Sequence, residues 1–339
     1  MAPITIAVDA MGGDHGLAVT LPAVKKLLAN NPNAKVLLVG IENQLKEALL
    51  ELGLANETRL KLVHASEVVE MDDALSVALR QKRDSSMRVA AQLVKKGEAS
   101  AMVSAGNTGA LMAVSRLVLR TLPGIDRPAI CTAIPTKTHH AYMLDLGANV
   151  EAGAEQLLQF ALMGSAVAQA VDKNPNPKVA LLNIGEEEIK GSENIKAAVL
   201  LLENHPSVNY IGYIEGDSVF DGGADVVVCD GFVGNVALKT MEGVASMIGH
   251  MLKNEIHSSW WRKIAALLAM PIFKGLRHRA NPQRYNGASL IGLNGIVVKS
   301  HGGATVDGFY AALQVAFNEA EQDVLSLISS ALEESASLQ

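Results

Sequence analysis

Short apolar runs recur along this chain, and most end in a small, polar, glycine-containing turn that opens into a helical segment. Ala101–Met112 is the clearest case. Ala101–Val103 is β-prone, Ser104–Gly109 is small and polar, and the chain is apolar and helix-prone from Ala110 to Leu119. Strands alternating with helices in this way predict a three-layer α/β fold, a mostly parallel sheet with helices on both faces. A turn of this kind also aims free backbone N–H groups and the positive end of a helix dipole at one spot, which suits an anion, phosphate above all. The turn matches neither a Walker loop nor GxGxxG, so on glycine pattern alone a plain strand-to-helix turn is equally open.

The same order repeats. Ile4–Val8 runs into Asp9-Ala-Met-Gly-Gly-Asp-His-Gly16, which puts Asp9, Gly12, Gly13 and His15 on the rim beyond a strand, where open α/β sheets bind ligands. Asp14 reads equally as the cap of the helix over Val19–Leu28. Strands at Lys35–Val39 and Leu60–His64 and helices at Gln44–Leu52, Asp72–Lys82 and Ser86–Lys96 follow. Ala129–Ile134 and Ala141–Leu146 read as an antiparallel pair with His139-His140 in a solvated tip. Asp145-Leu-Gly-Ala-Asn149 is the next polar strand end, before a helix over Ala152–Val171. Lys178–Asn183 leads into Ile184-Gly-Glu-Glu-Glu-Ile-Lys-Gly191, where Gly185 marks a turn and Lys190 is a movable cation beside glutamates. Helix Ser192–Glu203 and strands Val208–Tyr213 and Ala224–Cys229 come next. Asp230-Gly-Phe-Val-Gly-Asn235 then reads as a turn before a helix from Val236 to Leu252. Asn286–Gly295 is glycine-rich, Ile296–Lys299 is a last strand, and Ser300-His-Gly-Gly303 precedes one helix over Val306–Ser329.

Residues 256–279 stand apart. They hold Trp260, Trp261, Arg262, Lys263, Phe273, Arg277 and Arg279 among interleaved apolar residues, and Pro271 divides them into two short helices. An amphipathic basic segment with adjacent tryptophans, in a chain of net charge −6, suits an anionic membrane surface. A dimer interface or a dock for an acidic protein fits the same residues.

The negative net charge argues against a general nucleic-acid binder. The N-terminus lacks the basic and apolar regions of a signal peptide, no run reaches the length of a membrane span, and the two cysteines offer neither a zinc pattern nor a disulfide framework. These features fit a cytoplasmic location. Cys131 and Cys229 both sit in apolar strands and read as buried thiols.

Asp9–Asp14, Ser104–Gly109, Asp145–Asn149, Asn183–Glu187 with Lys190-Gly191, Asp230–Asn235 and Lys299–Gly302 resemble, in order, the blocks of the bacterial phosphate acyltransferases of phospholipid synthesis. The likeness covers nearly the whole chain. It departs at Leu17, where the family has proline, and at Asn286-Gly-Ala-Ser-Leu-Ile-Gly292, where the family has Gly-Gly-Ala-Pro-Leu-Leu-Gly. The resemblance implies a fold like those of phosphotransacetylases and isocitrate/isopropylmalate dehydrogenases. The chain would be one domain over residues 1–339, either undivided or made of two sub-domains sharing a cleft. The resemblance further implies transfer of a long-chain acyl group from acyl carrier protein to inorganic phosphate; no cofactor and no metal-ligand residues are read from the chain, and a role for a divalent metal stays open. The acyl phosphate would pass to a membrane acyltransferase acting on glycerol 3-phosphate, and the enzyme would be a homodimer attached peripherally to the inner face of the cell membrane.

On that reading phosphate is held by Asn107, Thr108, Gly109, Gly234 and Asn235, with Ser104, Gly106, Asn149, Asn183 and Gly185 in the same rim. Lys190 neutralises phosphate or the oxyanion, and Asp145 or Asp230 orients it or a donor. His15 or His301 protonates the leaving thiolate. A dehydrogenase of the same fold using NAD and a metal, and a membrane-surface scaffold that binds carrier protein without chemistry, are the competing readings.

Overall fold

Period-two alternation along the strands sends apolar side chains to both faces of a single sheet, so both faces need a helical cover. The structure is a computed structural model that describes residues 3–187, 189–273, 275 and 286–337. Strands β1 (Ile4–Asp9), β2 (Ala34–Gly40), β3 (Leu60–His64), β4 (Ala101–Ser104), β5 (Ala129–Pro135), β6 (His140–Leu144), β7 (Lys178–Leu182), β8 (Asn209–Ile214), β9 (Val226–Val228), β10 (Ala288–Ile291) and β11 (Ile296–Lys299) form an 11-stranded sheet in the order β3-β2-β1-β4-β11-β10-β5-β6-β9-β7-β8. Most neighbours are parallel, and the antiparallel pairs are β11–β10, β10–β5 and β5–β6.

The helices are α1 (Leu17–Asn30), α2 (Glu42–Glu51), α3 (Ser86–Lys95), α4 (Thr108–Leu119), α5 (Ala154–Val171), α6 (Glu193–Glu203), α7 (Gly231–His257), α8 (Trp260–Leu268), α9 (Val306–Glu321) and α10 (Val324–Ser337). Ala7, Met102, Val297, Met143 and Val227 pack under α3, α4 and α7 on one face. Val8, Val103 and Val298 pack under α1 and α9 on the other, and Leu144, Val179 and Val228 under α5, α6 and α10. The expected three layers are therefore present.

Several boundaries differ from the sequence expectation. β10 lies within the glycine-rich Asn286–Gly295 stretch, whose short Ala-Ser-Leu-Ile run gives no readable period. The final helix is two, because Asp323 adopts φ 51° and turns the chain between α9 and α10. Of the helix expected over Asp72–Lys82, residues 75–81 are helical, and Val77–Gln81 form a π-helical turn. Asp14 does not cap α1, whose N-cap is Gly16. The His139-His140 tip is not merely solvated: His139 Nε2 lies 3.3 Å from Asp225 Oδ1, and His140 Nε2 lies 3.0 Å from Asp172 Oδ2.

Direction matters for the site. Two antiparallel steps leave β5 running with β1–β4 and β11, while β6–β10 run the opposite way. The carboxyl ends of β1, β4 and β11 therefore lie at one edge of the sheet, and those of β6, β7 and β9 at the other.

Candidate functional site

Alternation places the last side chains of β1, β4 and β11 on the same face as Ala7, Met102 and Val297, the face that carries α4 and α7. Asp9 and Ser104 meet there, with Ser104 Oγ donating to Asp9 Oδ2 at 2.6 Å and accepting from Gly106 N at 3.1 Å. Burial pushes the Asp9 carboxyl above its ordinary range, against the Ser104 bond. Glycine is required at position 12, because a Cβ would sit 2.8 Å from both Asp9 Oδ2 and Gly106 N.

Lys299 completes this group. It is buried, and its Nζ donates to the carbonyls of Ala105, at 3.3 Å, and Ser300. Desolvation lowers its pKa to about 8, opposed by the charges of Asp14 and Asp9, while Lys239 lowers it further. Sequence reading left Lys299 out of the site. The signal was available: a lysine ends an apolar strand, on the buried face, between glycine turns.

The β1 and β11 loops are tied together, since Asp14 N donates to Gly302 O at 2.9 Å and Gly13 packs against Ala105 and Gly302. His15 is exposed and lines a small hollow with Gly12, Ala105 and Gly302. His301 is exposed, and its backbone N–H donates to Asn286 Oδ1 at 3.0 Å. Its Nδ1 accepts from Gly303 N at 3.1 Å, which leaves the neutral ring's proton on Nε2, turned to donate.

Asn107 is the N-cap of α4. Its Oδ1 accepts from Ala110 N at 2.9 Å, and its Nδ2 donates to Met71 O at 2.7 Å. The N–H groups of Thr108 and Gly109 belong to the first turn, ahead of any intrahelical acceptor, at exposed positions. The strand, turn and helix start thus follow in the order expected from the sequence.

The second group forms at the opposite sheet edge. Asp145 is fully buried, and its Oδ1 accepts from the N–H of Ile130, Gly147 and Ala148. Its Oδ2 accepts from the backbone and side-chain amides of Asn149 at 2.7 and 2.9 Å. Burial raises its pKa and these donors oppose the shift. Asp145 thus organises its own loop and does not orient Lys190. Asp230 is the N-cap of α7, accepting from Val233 N at 2.8 Å.

α7 starts at Gly231, so Gly234-Asn235 is helix and not the expected turn. Gly231 N and Phe232 N donate to the carbonyls of Asn149 and Val150, and Gly234 N donates to Asp230 O. These amides are engaged within the fold, and what the helix presents is the Asn235 side chain, packed beside Gly147. Asn183 closes its loop on the carbonyls of Gly185 and Lys190. Lys190 Nζ pairs with Glu187 Oε2 at 2.8 Å, and that hydrogen bond raises its pKa.

One element joins the two groups. Lys239 stands four residues after Asn235, on the same side of α7, and its charge reaches Lys299. α7 lies on the same sheet face as the Asp9, Ser104 and Lys299 side chains, with Ala237, Leu238 and Met241 packed against the core there.

Cys131 and Cys229 are buried, and burial pushes both thiols up, which leaves neither as a ready nucleophile. Among the described residues, no three His, Cys, Asp or Glu side chains group as metal ligands. Likewise, no helix among them is long and apolar enough to cross a membrane. In the basic segment, Trp260 and Trp261 stack at 3.7 Å between ring centroids and are exposed, and Arg262 pairs with Glu255. Lys263 is exposed and Phe273 half-buried. The helix break falls at Ala269 and not at Pro271. Arg277 and Arg279 lie outside the described residues.

A family model described as "Fatty acid synthesis protein" matches residues 4–327. A phosphate acyltransferase of Alcanivorax borkumensis is 60% identical over 332 residues, covering 98% of each chain. One from Legionella pneumophila is 54% identical over 328 residues, covering 97% of this chain and 96% of its own. Among solved structures, a phosphotransacetylase from Streptococcus pyogenes superposes with TM-score 0.65 at 17% identity, covering 94% of each chain. The EutD phosphotransacetylase from Staphylococcus aureus gives TM-score 0.62 at 17% identity, with the same coverage. These structures speak for the fold.

Proposed function

This chain belongs to the phosphate acyltransferase family, and from that premise we propose that its donor is a long-chain fatty acyl group held as a thioester on acyl carrier protein. It is an acyltransferase with inorganic phosphate as acceptor, which sets aside the dehydrogenase and the non-catalytic scaffold. The acyl phosphate is a reactive mixed anhydride, suited to a membrane acyltransferase that acylates glycerol 3-phosphate.

Phosphate dianion is a nucleophile at neutral pH, so the protein must position it and stabilise the oxyanion of the thioester carbonyl. A phosphate oxygen bonds to the carbonyl carbon, the C–S bond breaks, and the thiolate takes a proton. In this reading the open first turn of α4, with Thr108 and Gly109 fixed by the Asn107 cap, receives phosphate. Asn235 supplies an amide donor from the facing helix. Lys190 leaves Glu187 to neutralise developing charge. Asp145, Asn149 and Asp230 hold the loop and helix start that aim Asn235, and Asp9, Ser104, Gly12 and Gly106 shape the floor under α4. Lys299 adds a buried cation at that floor. His301, with Nε2 as donor, is better prepared than His15 to protonate the thiolate.

The observation that carries the arrangement is the Asn107 cap with the exposed first turn of α4 after it. The exposed stripe Val244, Met247, Ile248, Met251 and Leu252 on α7 supports a homodimer. The stacked tryptophans on α8 support attachment to an anionic membrane on its cytoplasmic side. The test is palmitoyl carrier protein plus phosphate with hydroxylamine as trap: phosphate-dependent hydroxamate is expected, and its absence with folded protein and intact donor would refute the donor.

A further inference from the structure

Around the start of α7 the molecule exposes large apolar side chains on loops that the sheet sets side by side. Val150 follows the Asp145 loop, Phe232 and Val233 lie in the first turn of α7, and Ile184 and Ile189 lie in the loop after β7. All of them are between 41% and 83% exposed. β9 pairs with both β6 and β7, with Val228 opposite Leu144 on one side and Leu181 on the other, so the loops emerge next to one another. Phe232 N donates to Val150 O at 3.3 Å, which joins two of them directly. None of these side chains belongs to a core cluster. A single exposed apolar residue is ordinary, whereas a contiguous rim marks a contact surface.

The same helix start and the loop after β7 carry polar groups already placed in the site, Asn235 and Lys190. A thioester carbonyl presented to those groups must send its hydrocarbon chain outward over the side chains around them. Each methylene removed from water favours binding by roughly fourfold. We infer that Val150, Ile184, Ile189, Phe232 and Val233 seat the hydrocarbon tail of the acyl donor and set the preference for chain length. The inference rests on the acyl-transfer reading above and adds to it the residues that read the tail.

The test compares kcat/KM for octanoyl and palmitoyl groups on the same carrier protein, for the wild type, for the double variant Ile184→Ser with Phe232→Ser, and for Val150→Ser with Ile189→Ser. The palmitoyl-to-octanoyl ratio is expected to fall tenfold or more in at least the first variant, with circular dichroism and sedimentation as in the wild type. An unchanged ratio in both variants overturns the inference. So does an equal loss with both donors, which would assign the rim to the surface of the carrier protein, and so does altered sedimentation, which would assign it to contact between copies of this chain. Absence of acyl phosphate from the wild type with either donor refutes the acyl-transfer reading itself, a result distinct from an unchanged ratio.

Discussion

Lys299 shows how far a single side chain can steer the chemistry of such a site. Its charge is held in a buried place by backbone carbonyls and by the charges of Asp14 and Asp9, and burial lowers its pKa to about 8. Lysine is cationic below its pKa, so the cation is present at pH 7 and is lost as pH rises through about 8. With Lys299 at the phosphate floor, kcat/KM for phosphate is expected to decline above that pH, and Lys299→Arg is expected to move the decline upward by more than a unit. Lys299→Met should raise the KM for phosphate tenfold or more and abolish the alkaline limb in a pH–rate series. Glu319 is the opposite case, far from the chemistry. It is fully buried with Ser289 Oγ as donor, and burial raises its pKa to about 7. A carboxyl raised in the fold adds no cost below its unfolded pKa near 4.5, and the cost grows as pH climbs to about 7. Glu319→Gln is therefore expected to raise Tm at pH 8, by on the order of 3 kcal/mol of stability, and to change it little at pH 4.5. Lys299 left a signal, a lysine closing an apolar strand, but its role was not read from it, and Glu319 left none. Their surroundings form when distant strands, β4 for Lys299 and β10 for Glu319, close over them.

Helix starts are what the elements contribute. Asn107 and Asp230 were both legible as polar residues at strand-to-helix switches, and both prove to be caps. For Asn107 the amides after the cap remain open, which is what the proposed phosphate seat requires. For α7 they do not: the helix starts earlier than expected, since glycines in its first turn hid the helical pattern while the Asn149–Val150 carbonyls absorbed its free amides. Asn107→Ala is expected to cost about 1 kcal/mol of stability and to lower kcat by much more than that loss explains. Asn107→Asp keeps the cap but sets a carboxylate oxygen against the Met71 carbonyl, so its Tm should also fall, while the added negative charge weakens phosphate binding. Gly234 gives a sharper structural test. A Cβ there would overlap the Asp145 carbonyl oxygen, so Gly234→Ala should lower Tm by the equivalent of about 3 kcal/mol in a thermal melt.

For the whole molecule, the alternation of strands and helices was enough to read three layers, because period-two and helical patterns are local. The antiparallel β5–β6 pair, which reverses the direction of the strands beyond it, was also readable; the place of β10 between β11 and β5 was not, because β10 is short and its pairing is set by residues far away in the chain. At this scale the surface is also testable. Trp260→Ala with Trp261→Ala should weaken sedimentation with anionic vesicles at least tenfold while leaving turnover of soluble donor near the wild-type value. The position of β10 and β11 in the sheet has a consequence in time. Between β4 and β5 there is a gap that only residues 288–299 can fill. A nascent chain therefore reaches the ribosome exit with most of its length made and two bare strand edges waiting, since pairing of such remote segments comes late and unpaired edges invite association. Chains stalled before that hairpin are the ones on which trigger-type chaperones and proteases should act.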